Sequence, residues 1–128
     1  MIYTLHVTHA PYTSQTAMTA LLFAQQLLER QHTILRIFFS GDGVYNGNSL
    51  VIAPQDEVNI PLAWQKLAQE HNIEMIICIS SALKRGIIDT AEAQRYEKPQ
   101  HNLLTGFEIS GLGQLVEASI ISERLITF

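Results

Sequence analysis

The spacing of apolar positions along the 128-residue chain switches repeatedly between two periods. Tyr3, Leu5 and Val7 alternate with Thr4, His6 and Thr8, a period of two that predicts a strand with one greasier face. His9-Ala10-Pro11-Tyr12 reads as a turn, with Thr13 and Ser14 as N-caps for a helix. Ala17, Ala20, Leu21, Ala24, Leu27 and Leu28 then recur at helical spacing, opposite a polar face of Gln25, Gln26, Glu29 and Arg30. Ile34 to Phe39 is a β-branched and aromatic run and predicts a buried strand that ends at Ser40-Gly41-Asp42-Gly43.

A polar, turn-rich stretch from Tyr45 to Asn59 precedes Pro61, which suits the first turn of a helix carrying Leu62, Ala63, Trp64 and Leu67. Met75 to Ile79 is a third apolar run of strand length, and Ser80 to Gly86 after it reads as a loop. A short polar helix is predicted around Thr90 to Arg95, a loop over Lys98 to Gly106, and a strand over Phe107 to Ser110. Leu112, Leu115, Val116 and Ser119 form a last helical stripe before a closing strand from Arg124 to Phe128.

Strands alternating with helices are the grammar of a parallel sheet, because parallel neighbours need a crossover. The expected fold is α/β, one flavodoxin-like domain over residues 1–128, with about five parallel strands and helices on both faces. Sites in such folds lie beyond the carboxyl ends of the strands. That rule selects His9 to Thr13, Gly41 to Tyr45, Cys78 to Gly86 and Gly106 to Gly111.

Composition narrows the picture. Eight Lys and Arg against twelve Asp and Glu leave a net charge of -4, which argues against direct gripping of a nucleic-acid backbone. Charged residues are 16% of the chain, well below the usual ~25%, so part of the surface is expected to be hidden in an oligomer. No run approaches the ~18 apolar residues of a membrane helix, and Met1 to His9 lacks the charge and apolar pattern of a signal peptide. With one cysteine and hence no internal disulfide, the expected location is the cytoplasm.

Three familiar uses of the fold lack their central residues. A flavin-phosphate loop after the first strand meets Ala10-Pro11-Tyr12 where glycine is needed. A phosphoacceptor domain meets His9 and Cys78 where acids are needed, and Gly41-Asp42-Gly43 is too short for a dinucleotide fingerprint. No pair of histidines or carboxylates has metal-ligand spacing, so no metal is expected.

What remains is Cys78, at the predicted carboxyl end of the third strand. As a residue it has two readings: a thiol facing the crevice and ionised by its surroundings, or a small buried core residue between Ile77 and Ile79. Lys84 and Arg85 are either electrostatic support for the sulfur or a solvated loop. His9 lies on the same rim and is either a partner for the thiol or an ordinary loop histidine, while His6, His32 and His71 read as structural.

Several segments together resemble one family. Phe38-Phe39 runs into Asp42-Gly43-Val44-Tyr45-Asn46, followed by Ala63-Trp64-Gln65-Lys66-Leu67, then Ile77-Cys78 through Ala82-Leu83-Lys84-Arg85-Gly86. Phe107 to Gly113, Glu117-Ala118-Ser119 and the terminal Phe128 complete the set. In order and spacing the chain resembles the DsrE-like sulfurtransferase subunits of the bacterial relay that supplies sulfur to the wobble 2-thiouridine of tRNA.

The resemblance implies a DsrE-like fold, a persulfide carried on Cys78 and no cofactor; Lys84 and Arg85 are the supporting residues that the local reading adds. It implies homologous B and C subunits in a heterohexamer, a TusA-like sulfur donor and a TusE-like acceptor. A DsrE-type carrier in sulfur oxidation and a noncatalytic scaffold subunit of the same hexamer are the alternatives. Thr4 and His6 depart from the apolar first strand that the family tends to have.

Overall fold

The computed structural model describes residues 1–128, and its five strands are all parallel. They are β1 (Ile2–Val7), β2 (Thr33–Phe39), β3 (Glu74–Cys78), β4 (Phe107–Ser110) and β5 (Arg124–Thr127), in the spatial order β4-β3-β2-β1-β5. The helices are α1 (Thr16–Glu29), α2 (Ile60–His71), α3 (Ile79–Lys84), α4 (Thr90–Arg95) and α5 (Gly113–Ile121). The α/β architecture, parallel sheet and helices on both faces are those expected. The first four strands step in one direction and the fifth returns beside the first. Right-handed crossovers therefore place α5 on the face opposite α1 and α2.

Pleating sorts the side chains. Leu5, Val7, Ile37, Phe39, Met75 and Ile77 join Leu21, Leu27, Trp64 and Leu67 of α1 and α2 in the main core. On the other face Phe38, Ile76 and Cys78 form a small cluster against which Leu115 of α5 packs. The two faces differ in depth: five residues of α1 are buried, but only Ala118 of α5.

What pins α5 is polar. The guanidinium of Arg36 on β2, only 5% exposed, donates to Glu74 at 2.9 Å, to Glu117 at 3.2 Å and to the Gln114 carbonyl at 2.7 Å. Thr4 adds a long hydrogen bond of 3.5 Å to the Ala118 carbonyl. Thr4 and Arg36, two hydrophilic residues within the sheet, thus both hold this helix.

Before β3, two details differ from the sequence reading. The stretch expected to be loop after β2 forms a 3₁₀ helix, Gly41–Gly47, because Asn46 satisfies it from within. The Asn46 amide donates to the carbonyls of Gly43 (2.8 Å) and His9 (3.0 Å), and its oxygen accepts the indole N–H of the fully buried Trp64 at 3.1 Å. Gly43 rests so close to β1 that a Cβ there would lie 2.0 Å from the Val7 carbonyl. The α1 N-cap is Gln15, with no side-chain bond; Ser14 reaches only the Thr16 N–H, at 3.3 Å.

The helix α2 follows the expected chemistry. Asn59 caps it by accepting from Leu62, Pro61 sits in the first turn, and Asn72 closes it in the left-handed region at φ 54°. No helix is long and apolar enough to cross a membrane. The apolar surface anticipated from the low charge content includes Leu112 just before α5, Val116, Ile120 and Ile121 on it, and Leu50 and Ile52.

Candidate functional site

Cys78 is the last residue of β3 and the N-cap of α3. The segment after it, expected to be loop, is helical because Ile79, Ala82 and Leu83 repeat at the spacing of a single helical turn. Ala82 is fully buried against the main core. Ser80 and Ser81 follow in the first turn of α3, close to the sulfur.

The thiol itself is not open. Cys78 is 4% exposed, against Phe38, Ile76 and Leu115. The expectation of a side chain facing an open crevice is corrected on that point. The carboxyl-end position is as expected, but α5 lies across it. Ser110 stands opposite Cys78 in the register of β3 and β4.

Burial pushes the thiol up, since a charged sulfur is poorly solvated there, yet the net effect is downward. The hydroxyl of Ser80, the N–H and hydroxyl of Ser81, and the N–H of Ser80 all favour the thiolate, and together they outweigh desolvation. The Ser80 oxygen lies 3.5 Å from the sulfur. These groups favour a thiolate at Cys78.

The cations expected beside the sulfur are elsewhere. Lys84 lies in the last turn of α3, at the far end from Cys78, and lines a cavity of about 630 Å³ with Leu83, Ile88, Glu92 and Tyr96. Arg85 donates from Nε to Asp42 at 2.8 Å and from Nη1 to the Ser81 carbonyl at 3.2 Å. Neither cation contributes to the lowering of the thiol, which comes from serines and main-chain amides.

His9 hydrogen-bonds Thr8 at 3.2 Å and makes no bond to Cys78. His6 projects on the same face as Cys78, two strands away, with Nε2 at 2.7 Å from the Ser40 hydroxyl and a pKa lowered by burial. No group of three His, Cys, Asp or Glu side chains is placed to hold a metal.

Ser80 and Ser81 are the residues that reading for loops overlooks. Their signal lies in Ile79-Ser80-Ser81-Ala82-Leu83, whose apolar residues fit one helical turn. A helix starting directly after a strand presents its first amides to the last strand residue. The Arg85–Asp42 contact spans 43 positions, and nothing local announces it.

Comparison with known proteins places this geometry. The DsrE/DsrF-like family matches over residues 1–128. The sulfurtransferase TusD homolog of Vibrio vulnificus (strain CMCP6) is 44% identical over 126 residues, covering 98% of this chain and 96% of that protein. Sulfurtransferase TusD of Salmonella enteritidis PT4 is 45% identical over 128 residues, the full length of both. Among solved structures, the ychN protein from E. coli superposes with a TM-score of 0.79 over 100% of this chain and 99% of that one. At 22% identity it speaks for the fold alone. With its whole length matched in both sequence comparisons, the chain belongs to the DsrE/DsrF-like family, among the TusD sulfurtransferases.

Proposed function

We propose that Cys78 is the acceptor of a persulfide relay. The observation that carries this reading is a lone thiol at the carboxyl end of β3, with the Ser80 hydroxyl 3.5 Å from its sulfur and a pKa lowered from the ordinary thiol value, in a chain aligned end to end with sulfurtransferases. The thiolate of Cys78 attacks the outer sulfur of a donor protein's persulfide, forming a new S–S bond. The S–S bond in the donor breaks, and the donor cysteine leaves as its thiolate. In the second transfer an acceptor thiolate attacks the outer sulfur on Cys78, and Cys78 leaves as the thiolate. No net oxidation occurs in either step.

With no second cysteine in the chain to close a disulfide, the sulfur has to depart to another protein. Serine and amide donors stabilise Cys78 as attacking group and as leaving group, so the same donors serve both transfers. The relatives' names support sulfur transfer, and the resemblance implies a TusA-like donor, a TusE-like acceptor and 2-thiolation of the tRNA wobble uridine in the cytoplasm. It also implies homologous B and C subunits in a heterohexamer. The net charge of -4 favours an RNA contact made by a downstream protein.

The 4% exposure of the sulfur favours a second reading, a scaffold subunit whose cysteine is only packing. Intact mass after incubation with a protein persulfide donor separates the two. The relay gives an adduct of about 32 Da, one sulfur atom, that is lost in Cys78→Ser. An unmodified wild-type chain leaves the scaffold reading standing.

A further inference from the structure

We propose that the surface cavity between α3 and α4 is a binding site for a guanine nucleotide, with Glu92 reading the base and Lys84 and Lys98 holding the phosphate. The site lies toward the end of α3 remote from Cys78 and does not depend on the sulfur chemistry proposed for that residue.

The cavity measures about 630 Å³, the size of a small-molecule site. Its walls belong to two short helices that each close on a residue of left-handed backbone. Gly86, at φ 73°, follows α3, and the Ile87 N–H returns to the Ala82 carbonyl at 2.9 Å. Glu97, at φ 55°, follows α4, and the Lys98 N–H returns to the Ala93 carbonyl at 2.8 Å. Closures of this kind fix the chain by main-chain bonds, so both ends of the cavity are held by backbone.

Glu92 carries the argument. Its side chain, among the cavity walls, is only 8% exposed. Oε2 has no hydrogen-bond partner, and Oε1 meets only Nη1 of the solvated Arg95, at 3.6 Å. A carboxylate so placed has given up water without receiving donors in exchange, which is costly. The terminal torsion of a glutamate is soft, so the carboxylate can turn toward a donor that enters the cavity.

The remaining walls select that donor. Lys84 and Lys98 are exposed, and neither is paired with a carboxylate. A cationic ligand would reach Glu92 only by coming up against both lysines, so the donor has to be neutral and the ligand anionic. Leu83, Ile88 and Tyr96 add apolar surface and an aromatic ring, which suit a planar body. Guanine presents two neighbouring neutral N–H groups on one edge, matched to the two oxygens of a carboxylate. Adenine, cytosine and uracil each place an acceptor beside the donor there. The phosphate supplies the charge for the lysines.

The experiment is calorimetric titration of the full chain with guanosine monophosphate, and separately with adenosine monophosphate, guanosine, inorganic phosphate and a short RNA containing one guanine. Guanosine monophosphate binds, the adenosine compound binds about tenfold more weakly, and phosphate alone does not bind over the same range. Glu92→Gln keeps the volume but sets an amide N–H against those of guanine, so it weakens guanosine monophosphate about tenfold and abolishes the preference over adenosine. Lys84→Ala combined with Lys98→Ala weakens guanosine monophosphate several-fold and leaves guanosine unchanged. These lysines are on the surface, so this variant keeps the test standing if Glu92→Gln melts early.

No heat with guanosine monophosphate overturns the proposal. So does equal binding of inorganic phosphate, which would mean that two surface lysines attract any anion. Unchanged affinity in a folded Glu92→Gln overturns the reading of the base, and unchanged affinity in the lysine variant overturns the phosphate site. Tighter binding of the RNA than of the free nucleotide overturns the assignment to a small molecule.

Discussion

Buried thiols ordinarily hold their protons more tightly than free ones, because a thiolate in apolar surroundings loses its hydration. Cys78 goes the other way because its burial is one-sided. Phe38, Ile76 and Leu115 enclose it, while Ser80 and Ser81 replace the lost water with donors. A thiol that ionises at lower pH folded than unfolded leaves the unfolded chain holding more protons between the two values. Stability therefore rises with pH across that window. The gain is complete above the ordinary thiol range, near about 8.5, and is lost as pH falls through the folded value. Urea midpoints of wild type and Cys78→Ser, compared across this range, diverge in favour of wild type as pH rises. A constant difference would mean that the folded thiol ionises like a free one.

At the scale of elements, α5 controls access. It is a single helix over the carboxyl half of the sheet, anchored by Ala118 and by the bonds of Arg36 and Thr4. Its outward side chains, Leu112, Val116 and Ile120, are apolar and exposed. Leu115 is its contribution to the cover over Cys78. Trimming that side chain opens the sulfur without touching the donors, so Leu115→Ala raises the alkylation rate several-fold and leaves the pH midpoint in place. An unchanged rate would show that Leu115 is not what limits access. Reagent rate and midpoint report different features, the cover that α5 provides and the immediate surroundings of the thiol.

For the molecule as a whole, the site depends on how closely the 3₁₀ helix sits on the sheet. Gly43 lies against the Val7 carbonyl with no room for a side chain, and Trp64 holds the same segment from below through Asn46. Gly43→Ala therefore displaces the segment that carries Gly41 and Asp42. We expect a loss of about 2–4 kcal/mol in chemical denaturation together with an upward shift of the Cys78 midpoint. A destabilised protein with a wild-type midpoint would show that the sulfur's surroundings do not depend on this packing.

Much of this architecture is legible in one dimension, and the reason is periodicity. The alternation of Leu5 and Val7 with Thr4 and His6, and the helical recurrence from Ala17 to Leu28, reflect the faces those residues present to the core. Parallel pairing and crossover handedness then bring Cys78 to the carboxyl rim, and the family can be read from motifs spread along the whole chain. The cover over the sulfur was decided in three dimensions, because α5 reaches it from 37 residues along the chain (115 − 78). The same holds for Arg85, a loop cation by its sequence and a ligand of Asp42 and the Ser81 carbonyl in the fold. Local pattern records which side of an element faces inward. Which distant group meets a given atom, and so whether a thiol carries its charge, depends on packing that no short stretch of sequence encodes.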